Sequence, residues 1–166
     1  MKKVIGIGKQ SFSSLREKNY FFIDKTNFIK EWWEKGDDIT LITRPRRFGK
    51  TLNMSMMECF FSNKYAKRAD LFEGLSIWEE EKYRKLQGTY PVIFLSFAAV
   101  KADNLSDVKE QIKQEIVRLY RRNGYLAESD CLSEEEKKEY REISVEMSDA
   151  RLAMMMTTQT IAMIHL

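Results

Sequence analysis

The sequence is poor in the residues that usually announce chemistry. Of 166 residues only one is histidine, His165, so neither a histidine-based metal site nor a catalytic triad is available. Two cysteines, Cys59 and Cys131, lack the even count and spacing of a disulfide framework. Cys59 falls on the apolar side of an expected helix and reads as a small buried hydrophobe. No stretch nears the roughly 18 uninterrupted apolar residues of a membrane span. No targeting peptide, internal repeat or low-complexity linker is visible, and with free thiols this composition predicts a cytoplasmic protein. The net charge is only +3, too small to demand a nucleic-acid partner. What remains is an ordinary globular composition, 43% apolar and 32% charged, enough for one domain with a core.

The positive charge that exists is clustered. Arg44, Arg46, Arg47 and Lys50 fall within seven residues, in the run I-T-L-I-T-R-P-R-R-F-G-K-T-L-N from Ile39 to Asn53. Ile39 to Ile42 is short, apolar and β-branched, as a buried strand requires. Lys50 to Phe61 carries Leu52, Met56, Cys59 and Phe60 at helical spacing. Strand, tight loop and a Gly-Lys-Thr that opens a helix make the arrangement of a P-loop. In that arrangement helix N-terminal amides and the helix dipole attract phosphate oxygens. Gly49 lets the backbone approach, Lys50 reaches the β- and γ-phosphates, and the Thr51 hydroxyl serves Mg²⁺. The pattern G-x-x-x-x-G-K-[ST] departs here at one place, where Arg44 replaces the first glycine. The bland alternative is a strand-turn-helix corner with a turn glycine and a solvated lysine.

The run from Leu41 to Asn53 resembles the signature of the bacterial predicted AAA-ATPase-like proteins, in which R-P-R-R-F-G-K-T stands in place of the glycine-rich loop. Tyr20 to Thr26 (Y-F-F-I-D-K-T) resembles that family's Y-x-x-D-K-T, and Tyr90 to Phe97 (Y-P-V-I-F-L-S-F) its Y-P-V-I-x-L-S-F. The resemblance covers about Ile7 to Ile143. It implies an α/β fold, the three-layer α/β/α type of a P-loop NTPase, here partial because the Walker B strand is absent. It implies ATP and Mg²⁺ as cofactors, with Arg46, Arg47, Phe48, Gly49, Lys50, Thr51 and Leu52 around the nucleotide and Thr51 on the metal. Arg44 is an auxiliary phosphate or partner contact, and the Tyr20–Thr26 segment is expected to flank the base.

Hydrolysis asks for more than phosphate binding: a Walker B carboxylate, a group that positions water, and an arginine finger. Neither the carboxylate strand nor the finger is found in this chain, and Asp103 is a poor substitute. We therefore expect nucleotide binding with little turnover. The other reading is a non-catalytic module whose arginine-rich loop binds an acidic partner or a nucleic-acid backbone. Residues 1–150 are expected to form the N-terminal part of the P-loop domain, and 151–166 an atypical tail. That texture change suggests a fragment, or a reading frame lost near residue 150. Strand edges left open by the absent strand invite a homo-oligomer or a partner chain that completes the sheet.

Further expectations concern the frame. Ser11 to Lys18 reads as a short helix with Phe12 and Leu15 inward. Asp24 is expected to N-cap a helix to Lys35, ended by Gly36, with Ile29, Trp32 and Trp33 as its apolar face. Leu71, Phe72 and Leu75 anchor the connection that follows, while Trp78 to Leu86 reads as solvated. Pro91 to Phe97 reads as a second buried strand. Asp103 to Asn123 is expected to be a helix with Leu105, Val108, Ile112, Ile116 and Leu119 on one face. Ser133 and Glu136 form a capping box for a last helix to about Met147.

Overall fold

In the computed structural model, described for residues 4–37, 39–43, 45 and 48–157 (without the side chains of 156 and 157), the regular structure is helical. Among the described residues the α-helices are, in order, α1 Phe12–Glu17, α2 Asn27–Lys35, α3 Lys50–Phe61, α4 Glu81–Leu86, α5 Leu105–Arg122, α6 Glu134–Val145 and α7 Asp149–Thr157. Among the described residues there is no strand or sheet, and one isolated parallel bridge joins Ser62 to Tyr90. The three-layer α/β/α expectation is thereby corrected. Both runs read as strands, Ile39–Ile42 and Pro91–Phe97, take no regular secondary structure and lack any ladder partner among the described residues. A β-branched apolar run makes a strand only when a neighbour takes up its backbone groups.

The chain divides into two compact units, one running to Val92 and the other beginning at Ile93. The first is built on a core of Phe12, Ile29, Met56, Cys59, Phe60, Phe61, Leu71, Phe72, Leu75, Ile77 and Tyr83. Aromatic rings dominate it. Phe72 stacks on Phe12 with centroids 5.1 Å apart and meets Phe60 edge-on at 5.2 Å. Trp33 stacks on Phe61 at 5.6 Å, so the apolar face of α2 lies on the C-terminal end of α3, as its spacing predicts. The Ser11 side chain caps α1, and Gly36 closes α2 in the left-handed conformation at φ 64°. At Gly88 (φ 71°) glycine is required twice over, because a Cβ there would lie 2.4 Å from the Ala66 Cα.

Asp24 does not cap α2 itself, since Thr26 occupies the N-cap position. Instead one Asp24 carboxylate oxygen accepts from the Thr26 amide (2.9 Å) and hydroxyl (2.7 Å). The other accepts from the Ser76 amide and hydroxyl, both at 2.7 Å, and the buried Thr26 Oγ1 accepts from the Ile77 amide at 3.1 Å. These bonds clasp the segment before α2 to the 3₁₀ turn Ser76–Trp78. Arg16 adds a second tie, donating to the Leu71 and Glu73 carbonyls at 2.7 Å each.

The second unit packs α5, α6 and α7 through Ile116, Ile143, Met147 and Leu152. The Ser133–Glu136 capping box is formed, and the helix it opens ends at Val145. Tyr140 Oη lies 2.9 Å from the Tyr120 carbonyl and 2.8 Å from that of Asn123, to which it donates, tying α6 to the end of α5. The tail that fits no sequence template is helical as far as Thr157.

Candidate functional site

The stretch singled out by its charge is positioned by α3. Twelve residues long, this helix begins at Lys50 and ends at Phe61, the bounds that its sequence predicts. Its C-terminal half is sunk in the core through Met56, Cys59, Phe60 and Phe61. Ser55 Oγ, one turn earlier, accepts from the Phe12 amide at 3.1 Å and fixes α3 against α1. The N-terminal end, by contrast, faces outward.

Gly49 is the N-cap of α3, at φ 77° and ψ 17°. Only glycine adopts this conformation without strain. Having no side chain, it supplies no acceptor to the first-turn amides, where Ser, Thr, Asp or Asn would ordinarily cap them. The Gly49 carbonyl accepts the first helical bond, from the Asn53 amide at 2.9 Å. Among the described residues other than its chain neighbours, no atom lies within 4 Å of where a Gly49 Cβ would stand. Lys50 and Thr51 are exposed on the first turn, Leu52 and Asn53 are half-buried, and Phe48 projects into solvent at 62% exposure. The sequence-nominated Phe48, Gly49, Lys50, Thr51 and Leu52 therefore share one helix start. Arg44, Arg46 and Arg47, nominated with them, lie outside the described residues.

The other candidates are elsewhere. Asp103 is exposed just ahead of α5, in the second unit. Asp24 and Thr26, from the segment expected beside the base, spend their polar atoms on Ser76 and Ile77. Burial pushes the Cys59 thiol up to about 11, with the Glu58 charge adding to the shift, so it is a neutral core residue at ordinary pH. Among the described residues no three His, Cys, Asp or Glu side chains converge as a metal site. Sequence reasoning passed over one core residue, Tyr83, in the charge-dense stretch after Trp78. It is fully buried and donates to Glu34 at 2.6 Å, and burial together with that carboxylate pushes its hydroxyl up to about 12. A tyrosine at the third position of a short amphipathic helix was the available signal.

Comparison with known proteins bears on the family. The family described as Predicted AAA-ATPase, AAA-ATPase-like, matches residues 6–163. The chain belongs to that family. It is also 31% identical over 115 residues to an uncharacterized protein in the vnfD 5′ region of Azotobacter chroococcum mcd 1. That alignment takes in 68% of this chain but 20% of the relative, so the chain corresponds to a small part of the longer protein. No solved structure matches it. Among the described residues no helix is long and apolar enough to cross a membrane.

Proposed function

We propose that this AAA-ATPase-like chain binds ATP with Mg²⁺ at the start of α3 and turns it over slowly or not at all. The observation that carries the reading is the left-handed Gly49 cap, which brings no side-chain acceptor of its own to the helix start and has Lys50 and Thr51 exposed on the first turn after it. A helix start of this kind favours phosphate, because its N-terminal amides and the positive end of the helix dipole point the same way. Lys50 would neutralise the β- and γ-phosphates and the Thr51 hydroxyl would meet Mg²⁺. Phe48 and Leu52 would line the approach, and Arg46 and Arg47, with Arg44 beside them, would contribute from the loop. Residues 1–150 act as the nucleotide-binding part and 151–166 as an appended tail, in a cytoplasmic protein. Self-association, or a partner chain against the free apolar edges, belongs to the same reading.

The test is competition. A fluorescent ATP analogue should bind the full chain and be displaced by Mg²⁺-ATP, and Lys50→Ala should lose most of that affinity while keeping its helical circular dichroism. Equal affinity in Lys50→Ala would remove the site. Binding that ignores Mg²⁺ but collapses with added salt, and that a single-stranded oligonucleotide competes away, would favour a phosphate-backbone module instead.

A further inference from the structure

Thr51, Ser55 and Cys59 follow one another at four-residue steps, so they form one stripe along α3. The stripe runs from the start of the helix into the core: Thr51 is exposed, Ser55 half-buried and Cys59 fully buried. Its lower part is tied to α1. Ser55 Oγ accepts from the Phe12 amide at 3.1 Å, and the Ser13 amide and Ser55 hydroxyl are hydrogen-bond partners of the Cys59 thiol. Phe12 is the first residue of α1, where an amide has no carbonyl of its own helix to bond, and Ser55 supplies the acceptor.

The post to which Ser55 is tied is itself fixed. Phe12 is wholly buried, its ring stacked on Phe72 at 5.1 Å and edge-on to Phe22 at 5.5 Å. Arg16 holds the other end of α1 to the Leu71 and Glu73 carbonyls at 2.7 Å each. Leu52 also packs partly against this core, but an apolar contact has no preferred direction, whereas a hydrogen bond does.

We propose that Ser55 is a positioning residue for the metal side of the ATP site, holding to α1 the turn of α3 below the Thr51 hydroxyl. The inference rests on the nucleotide reading above and adds to it a residue that touches neither ATP nor Mg²⁺. Thr51 lies about 6 Å further up the axis on the same side of the helix, whereas Lys50 lies about 140° round from Ser55. The two also differ in tolerance. Lys50 is a point charge on a flexible four-carbon stem and can follow a displaced phosphate, but a Mg²⁺ ligand must meet near-ideal octahedral geometry at about 2.0–2.1 Å. Loosening the tie should therefore disturb the metal before the phosphate.

Calorimetric titration of ATP into the full chain, with and without Mg²⁺, gives the factor by which the metal tightens binding. Ser55→Ala should cut that factor about tenfold, the low end of what residues that support a metal ligand contribute, and should leave Mg²⁺-free affinity little changed. Ser55→Cys is nearly isosteric and keeps a weak acceptor, so it guards against misfolding and should fall between the two. In a Thr51→Val background, which has no hydroxyl to position, Ser55→Ala should change the factor no further. A factor unchanged in both Ser55 variants, or affinities with and without Mg²⁺ that fall together, overturns the proposal and leaves the nucleotide site standing. No ATP binding in the parent chain would remove the nucleotide reading itself, and this inference with it.

Discussion

Replacing Asp24 with asparagine should loosen the first unit, because one carboxylate holds two segments together. Its oxygens accept four hydrogen bonds, two from Thr26 and two from Ser76. Asparagine keeps one acceptor oxygen and turns an NH₂ toward donors, so about half of the clasp is lost. Bonds to an ionised acceptor contribute about 1.5–3 kcal/mol each when sheltered, but Asp24 is largely exposed and solvent replaces much of this. A net cost of about 1–2 kcal/mol follows, against native stabilities of about 5–15 kcal/mol. The pH dependence is the sharper signature. Partial burial opposes the charge, yet the bonds from Ser76 and Thr26 outweigh it and hold the carboxyl below its ordinary 3.8. A depressed folded-state pKa means that the contribution is fully present above the unfolded value and is lost as pH falls through the folded one. Urea melts at pH 7 should separate wild type from Asp24→Asn by this amount, and the gap should close as pH falls through the depressed folded-state pKa, below the ordinary carboxyl value. A gap that persists unchanged at low pH, or no gap at pH 7, would refute the clasp.

Gly88→Ala should destabilise the same unit by about 2 kcal/mol or more, since it meets the Ala66 backbone and a left-handed φ together; a melting temperature unchanged within error would contradict the packing there. Thiol titration with a maleimide should label Cys131 at once and Cys59 only on unfolding, because one is exposed and the other fully buried; two fast thiols in the native chain would contradict the core assignment.

The helices were legible in the sequence where local chemistry decides them. Ser133 and Glu136 bond each other's backbone across one turn, and Gly36 ends α2, so neither needs a distant partner to declare itself. The bounds of α3 were legible for the same reason, with Gly49 before it and an apolar stripe through it. What failed was non-local. Ile39–Ile42 and Pro91–Phe97 have strand composition, but pairing is a property of two segments, and no partner is present among the described residues. Leu105 keeps the period of the α5 face yet is 69% exposed, because the first turn of α5 has little to pack against. Tyr83 shows the opposite error, a fully buried ring within charged neighbours whose heads stay in water. At the candidate site, the glycine and the helix start were readable from Gly-Lys-Thr. The role of Asp24 was not, because its second partner, Ser76, lies 52 residues away.

The central claim is that the start of α3 cradles phosphate, and calorimetric titration of Mg²⁺-ATP into the full chain and into Lys50→Ala tests it most directly. The account predicts a single site in the parent chain, weakened when Mg²⁺ is withheld and lost in Lys50→Ala. Heats that are absent in both proteins, or identical in both, would mean that this helix start takes no nucleotide.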